Sequence, residues 1–436
     1  MNKLQIFIRG FMANSFLKNM QLFLSGKFTL AATTLAIGVI TARLLSPENR
    51  GLYTLFFTLS GLLVTFLHVG LSPANIYFLN VKKVKIGELI GNTFAYVFLS
   101  MCLLGSLFIV FVACDFRGPF LGFQAGMIWF LIWLTILYSL LETSISGLIL
   151  ATNLYTFLNR SLIYQSIILL SSALLIPVVG SQLEWAIGLR VFGISLFIVW
   201  FLFIFLKLAN FRQLSVSPLI LKEQIEFGRK NWAQNVIGFL NVRSYILILG
   251  FFADPETVGF FSVAWLFVEI LRFLPDTIGA MILPELTNNK SKPQQISLTV
   301  RSLRLIFSLV LILSISIFLV ADIVIPLIFG SAYLPSIDIA KFLMVGATLG
   351  AVYQVLTRYF TSQAQQKYSI ISGLWGLAVG LIGCIALIPA HGGSGAAFAF
   401  AASALITAVW VLYYFCHSTN TSLWRVVNIS RKDFAF

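Results

Sequence analysis

The sequence predicts an all-α polytopic membrane protein, with twelve transmembrane helices in two parallel-related six-helix lobes around a central cleft. Three observations carry this expectation. Hydrophobic residues make up 59% of the 436 residues and charged residues only 10%, too little polar material to cover a water-exposed surface of ordinary size. Apolar runs of about 20 residues, the length that crosses a bilayer core, recur from one end of the chain to the other. One short pattern also occurs twice. Ser46-Pro47-Glu48-Asn49-Arg50-Gly51-Leu52-Tyr53 and Asp254-Pro255-Glu256-Thr257-Val258-Gly259-Phe260-Phe261 align Pro, Glu, Gly and the closing aromatic at one offset, 208 residues (255 − 47). A second pair, Leu175-Ile176-Pro177 with Gly180 and Leu387-Ile388-Pro389 with Gly392, recurs at 212 (387 − 175). Two landmarks far apart in each half, at nearly the same offset, indicate a duplicated unit.

Residues 1–20 interleave Leu4, Ile6, Phe7, Ile8, Phe11, Phe16 and Leu17 with Lys3, Arg9 and Lys18. This is the pattern of a helix lying in the cytoplasmic membrane interface, not of a cleavable signal. Twelve apolar segments then follow, at 20–44, 52–71, 86–113, 122–150, 154–179, 183–206, 226–252, 258–283, 299–329, 335–359, 368–389 and 393–416. They divide the chain into an N-terminal lobe with its interfacial helix at 1–206, a cytoplasmic linker at 207–223 containing Arg212, Pro218 and Lys222, and a C-terminal lobe with a short tail at 224–436.

Orientation follows from Lys and Arg, which collect in cytoplasmic loops. With the N-terminus inside, the outer side holds Arg43, Arg50, Arg117, Arg190 and boundary Lys341, while Lys27, Arg243 and Arg272 lie within spans. The other 21 of the 29 basic residues, Arg358 among them, fall inside. Both termini are therefore expected in the cytoplasm. The net charge of +14 reads as topology signal and contact with anionic membrane lipids, with no nucleic-acid partner. Six helices per repeat start both halves on the same side, which relates them by an axis along the membrane normal.

This is transporter architecture. No connection is long enough for an extramembrane catalytic domain, and no G-x-x-x-x-G-K loop occurs, so the chain reads as a transporter and not an enzyme. Cys102, Cys114, Cys384 and Cys416 lie far apart without metal or redox spacing, so packing is their role and no metal or cofactor is expected.

Polar groups inside the spans are costly in lipid and so face a cavity or a partner. Lys27, Thr34 and Thr41 recur at seven-residue intervals on one face of the first helix, where Lys27 also has the option of snorkelling to the cytoplasmic end. Asn231 and Asn235 open the seventh segment, which carries Asn241 and Arg243 near its middle. On the eighth, Glu269, Arg272 and Asp276 share one stripe; either the acids neutralise Arg272 within its own helix, or they hold it ready for an anionic substrate. His68, Glu142, Asp322 and Gln354 are isolated, each either a packed hydrogen bond or a coupling group. Gly51 and Gly259 read as the geometry of helix starts. Lys27, Arg243 and Arg272 together suit a phosphate or diphosphate head, whose oxygens take forked hydrogen bonds from Arg.

The run from Thr41-Ala42-Arg43-Leu44-Leu45 through Ser46-Pro47-Glu48-Asn49-Arg50-Gly51-Leu52-Tyr53 to Gly70-Leu71-Ser72-Pro73-Ala74-Asn75 resembles the N-terminal region of bacterial polysaccharide-biosynthesis flippases. These belong to the multidrug/oligosaccharidyl-lipid/polysaccharide exporter (MOP) superfamily. The resemblance implies translocation of an undecaprenyl-diphosphate-linked oligosaccharide from the inner to the outer leaflet of the bacterial cytoplasmic membrane by alternating access. It implies diphosphate contacts at Lys27, Arg243 and Arg272, to which the polar residues within the spans add Thr34, Thr41, Asn231, Asn235 and Asn241 as candidate cavity-lining groups. His68, Glu142, Glu269, Asp276 and Asp322 become candidate coupling groups or charge partners, with H+ or Na+ as candidate ions and a polysaccharide polymerase as candidate partner. An ion-coupled multidrug exporter of the same superfamily shares the architecture but favours a carboxylate-lined cleft. A membrane-embedded polymerase or ligase would need a larger outer loop.

Overall fold

The computed structural model describes residues 15–116, 125–152, 154–180, 182–209, 214–287, 291–363 and 365–427. The expected interfacial helix at 1–20 lies mostly outside them. The described residues are helical, with no strand among them. In chain order the helices are α1 (Ser15–Leu44), α2 (Pro47–Leu67), α3 (Leu71–Asn80), α4 (Ile86–Ala113), α5 (Ala125–Ala151), α6 (Tyr155–Leu174), α7 (Ile176–Val179), α8 (Leu183–Ala209), α9 (Pro218–Phe252), α10 (Pro255–Thr287), α11 (Lys292–Phe329), α12 (Ser336–Ser362), α13 (Gln366–Thr419) and α14 (Leu423–Val427).

Eleven of the described helical segments are long and apolar enough to cross a membrane. The last of them, α13, is 54 residues long and is broken at Gly392, where φ is 51° and ψ −128°. Without a Cβ, glycine adopts this left-handed backbone freely, and Pro389 just before it removes a helical hydrogen bond. The two halves of α13 therefore complete twelve spans. The partner landmark behaves alike: Gly180, at φ 136°, ends the short helix α7 that Pro177 opens. Large apolar side chains such as Ile109 (71% exposed) on α4 and Leu319 (69%) on α11 point outward, as lipid contact requires and water would penalise.

The chain forms two compact units, one of residues 1–44 and 56–236, the other of residues 45–55 and 237–436. In the first, α1 packs on α6, while α3, α4 and α8 pack on α5 and α6 packs on α8. In the second, α12 packs on α10, α11 and α13. The halves of α13 meet through small residues: Gly376 lies against Thr407, and the Ser403 hydroxyl donates to the Gly376 carbonyl at 2.7 Å. Close backbone approach of this kind is what glycine and serine permit between helices in lipid.

The duplicated Pro-Glu-x-x-Gly turns are helix starts, as their composition predicts. Pro47 and Pro255 are first residues of α2 and α10, where the missing N–H costs nothing. Asp254 caps α10 by accepting from the Thr257 N–H at 2.7 Å, and Ser46 accepts from the Asn49 N–H at 3.3 Å. The structure adds a tertiary reason for the glycines. A Cβ on Gly51 would lie 1.7 Å from the Pro255 carbonyl oxygen, and one on Gly259 would lie 1.9 Å from that of Pro47. The two turns, both in the second unit, are thus pressed backbone to backbone, each glycine against the other's proline, so the spacing encodes a reciprocal contact as well as two helix starts.

Candidate functional site

The second unit brings two of its ion pairs to α10. Arg243 on α9 donates to Glu269 on α10 at 2.7 Å, and Arg358 on α12 donates to Asp276 on α10 at 3.3 Å. The acids flanking Arg272 on its own helix are thus turned to arginines of neighbouring helices. Arg272 makes no hydrogen bond or ion pair with any described residue. Three guanidinium groups against two carboxylates leave one positive charge. Arg272 instead lines a cavity of about 120 Å³ with Asn241, Tyr353, Gln354, Ser403 and Thr407. Gly238 and Gly350, with open space where a side chain would stand, widen it.

Each wall is held by its own bonds. The Asn241 amide donates to the Ile237 and Gly373 carbonyls, both at 2.9 Å, and the Tyr353 hydroxyl donates to the Ser369 carbonyl at 3.2 Å. Gln354 Oε1 is buried with no hydrogen-bond partner among the described residues. The cavity therefore presents an unpaired guanidinium and an unpaired acceptor together. That combination suits an anion bearing an O–H, such as a phosphate beside a sugar hydroxyl.

The first unit holds Lys27, exposed on α1, and a smaller polar group further in. Tyr138 and Glu142 on α5 meet Gln165 on α6, whose Nε2 donates to Glu142 Oε1 at 3.1 Å and lies against the Tyr138 hydroxyl. Lys27 is the cation that acts on Glu142, and Arg190 on α8, its guanidinium 4.0 Å above the Phe57 ring, acts on Tyr138. The same unit also holds a relay of amides bonded in series. Asn92 donates to Gln224 at 3.1 Å, Gln224 to Asn75 at 2.7 Å, and Asn75 to Thr93 and the Ser144 carbonyl, while the Ser217 N–H donates to Asn92. Asn75, Asn92 and Gln224 are wholly buried, and the relay ties the start of α9 to α3, α4 and α5.

The remaining sequence candidates are scattered. Thr34 is exposed and Thr41 fully buried, and each hydroxyl donates to a carbonyl of its own helix, Leu30 and Ile37. Asn231 is half-buried and Asn235 exposed. His68 Nε2 is buried without a partner among the described residues. Asp322 is more than half exposed and pairs with Lys341 at 2.9 Å. Loop counting places Arg358 among the cytoplasmic positive charges and Arg190 at the outer rim, yet both belong to these clusters. The available signal for Arg358 was its i, i+4 spacing from Gln354, which puts the two on one helix face.

A family model described as "Polysaccharide biosynthesis protein" matches residues 40–338. No curated protein sequence matches the chain. Among solved structures, the lipid II flippase MurJ in an inward closed conformation superposes with a TM-score of 0.75 at 13% identity, over 90% of this chain and 87% of that one. A multidrug-resistance MATE family transporter of the MOP superfamily, inward-facing, gives 0.70 at 16% identity, over 92% and 98%. A MOP superfamily transporter from Pyrococcus furiosus, described as having a binding pocket of reverse polarity, gives 0.56 at 13% identity, over 92% and 94%. At these identities the likeness bears on the fold, which is that of flippases and exporters of this superfamily.

Proposed function

The chain belongs to the polysaccharide biosynthesis protein family, and from that premise we propose that it is a flippase for an undecaprenyl-diphosphate-linked oligosaccharide. It carries the lipid-linked sugar from the inner to the outer leaflet of the bacterial cytoplasmic membrane by alternating access. Both termini are cytoplasmic, and the repeats at 1–206 and 224–436 are the two lobes joined by 207–223. A polysaccharide polymerase is the kind of partner that would consume the product.

The observation that carries this reading is Arg272, an unpaired guanidinium on a cavity whose neighbouring arginines already have carboxylate partners. A cation kept unpaired in a membrane span is costly and is repaid when a doubly charged head arrives with oxygens for the guanidinium fork. Arg243 and Arg358 each hold an acid of α10, able to exchange it for phosphate oxygens. Lys27 supplies the corresponding cation of the first unit.

The MATE fold supports a second reading, an ion-coupled drug exporter. The excess of cations argues against organic cations as cargo, and one experiment separates the two. The protein is expressed in a bacterium lacking its surface-polysaccharide flippase, and surface glycan and drug resistance are both measured at matched membrane levels. Wild type restores glycan, and Arg272→Ala loses it while leaving resistance unmoved. In purified protein the same substitution weakens binding of a prenyl diphosphate about ten- to hundredfold, the loss of one or two charge-assisted hydrogen bonds. Resistance conferred by wild type without glycan would decide for the exporter.

A further inference from the structure

The Tyr138–Glu142–Gln165 group belongs to the first unit, and the arginine cluster to the second. Glu142 is a carboxyl inside a membrane span, half-buried on α5. The Tyr138 hydroxyl and the Gln165 amide are its hydrogen-bond partners, and Lys27 is the one opposite charge that acts on it. Of the elements packed on α5, α6 brings Gln165 and α8 brings Arg190, which acts on Tyr138. Helices α3 and α4 bring no charged group that acts on Glu142, and Lys27 comes from α1, which packs on α6.

Gln165 carries the argument further. Its Nε2 faces both Glu142 and the Tyr138 hydroxyl, whereas its Oε1 is buried with no hydrogen-bond partner among the described residues. A carboxamide turned by half a rotation exchanges these two atoms. In the orientation described, Nε2 donates to an ionised carboxylate and Oε1 is stranded. In the other, Oε1 stands where Nε2 stood. It accepts from the Tyr138 hydroxyl and from the O–H of a protonated Glu142, while Nε2 takes the buried place that Oε1 held. The same three side chains thus offer one bonded arrangement for Glu142 with its proton and one without. A carboxyl with only a structural role needs only one of them.

We propose that Glu142 is a proton-binding site of this protein, and that Lys27 links its occupancy to the anion. The only covalent change is a proton transfer: one O–H bond of a hydronium ion breaks, leaving water, one O–H bond forms on the carboxylate, and nothing is oxidised or reduced. When an anion engages Lys27, the carboxylate loses its compensating charge and takes up the proton. When the proton binds first, Lys27 is released to the anion. The two ligands therefore favour each other equally, as linkage requires. The link to an anion rests on the flippase reading above, whereas the proton site itself does not.

The test follows the carboxyl directly. Infrared difference spectra of the full-length protein in lipid nanodiscs are recorded as a function of pH, first without any substrate. The proposal expects a protonated-carboxyl band that titrates in wild type, is lost in Glu142→Gln and moves in Glu142→Asp. In Lys27→Ala the band persists to higher pH, because the opposing charge is gone. Farnesyl diphosphate added to wild type moves the band the same way. A titrating carboxyl signal indifferent to Glu142→Gln and Glu142→Asp overturns the proton site and leaves the flippase reading standing. A Glu142 band unmoved by Lys27→Ala overturns the link. A band that moves with Lys27→Ala but not with farnesyl diphosphate overturns the coupling to that anion.

Discussion

The two units solve one problem differently. Each carries polar groups inside apolar helices, but the first links several of them in a neutral amide relay, and the second in ion pairs. In the first, Asn75, Asn92 and Gln224 are bonded in series, so the relay is polar without net charge. In the second, Glu269 and Asp276 are each claimed by an arginine from another helix, and Arg272 is left over. An amide relay whose members are already bonded serves as scaffold. A charge network with one member in excess is able to exchange a carboxylate for a ligand.

The contrast is broken most severely at Glu269. Glu269→Ala leaves Arg243 without its carboxylate beside the unpaired Arg272. For a fully buried pair such a loss costs about 3–5 kcal/mol; here a quarter to a third of each side chain is exposed, so the effect lies below that range. The expected outcome is a clear drop in Tm of the purified protein, partly recovered by the second substitution Arg243→Ala. If Tm is unchanged by Glu269→Ala, the pair does not hold α9 to α10.

Gln224→Ala tests the other side of the comparison. It strands Asn75 Oδ1 and Asn92 Nδ2 in a site that water does not reach, a cost of about 1–3 kcal/mol. Because no net charge is involved, the loss is expected to be the same at low and high salt. A salt-dependent loss would mean that the relay is not the neutral scaffold described. The smallest change is expected at the rim, where Asp276→Asn weakens a contact of 3.3 Å to a half-exposed carboxylate. Pairs of this kind contribute about 0–1 kcal/mol. Tm should hardly move, while affinity for a diphosphate rises, because Arg358 is freed from its competitor.

The spans, their number and the duplicated turn were legible in the sequence because each depends on local properties. Apolar length decides whether a segment crosses a bilayer, and Pro at a first helical position with Ser or Asp before it decides where a helix starts. The break at Gly392 was legible for the same reason, from Leu-Ile-Pro followed by Gly. The candidates Arg243, Arg272, Glu269 and Asp276 were visible too, since a charge inside an apolar span stands out wherever it lies.

What the sequence could not determine was who pairs with whom. The i, i+3 and i, i+4 spacing on α10 offered Arg272 two acids of its own helix, and only the tertiary structure brought Arg243 of α9 and Arg358 of α12 to those acids. Gly51 and Gly259 read locally as helix starts, and only the fold pressed each against the other's proline carbonyl. Arg190 and Arg358 counted as loop charges until their helices were placed. Hydrophobicity and capping are properties of a segment and are written along the chain. An ion pair, a glycine contact and an unpaired cation are distances between segments, set by side-chain packing across residues far apart in sequence, so they exist only in the tertiary structure.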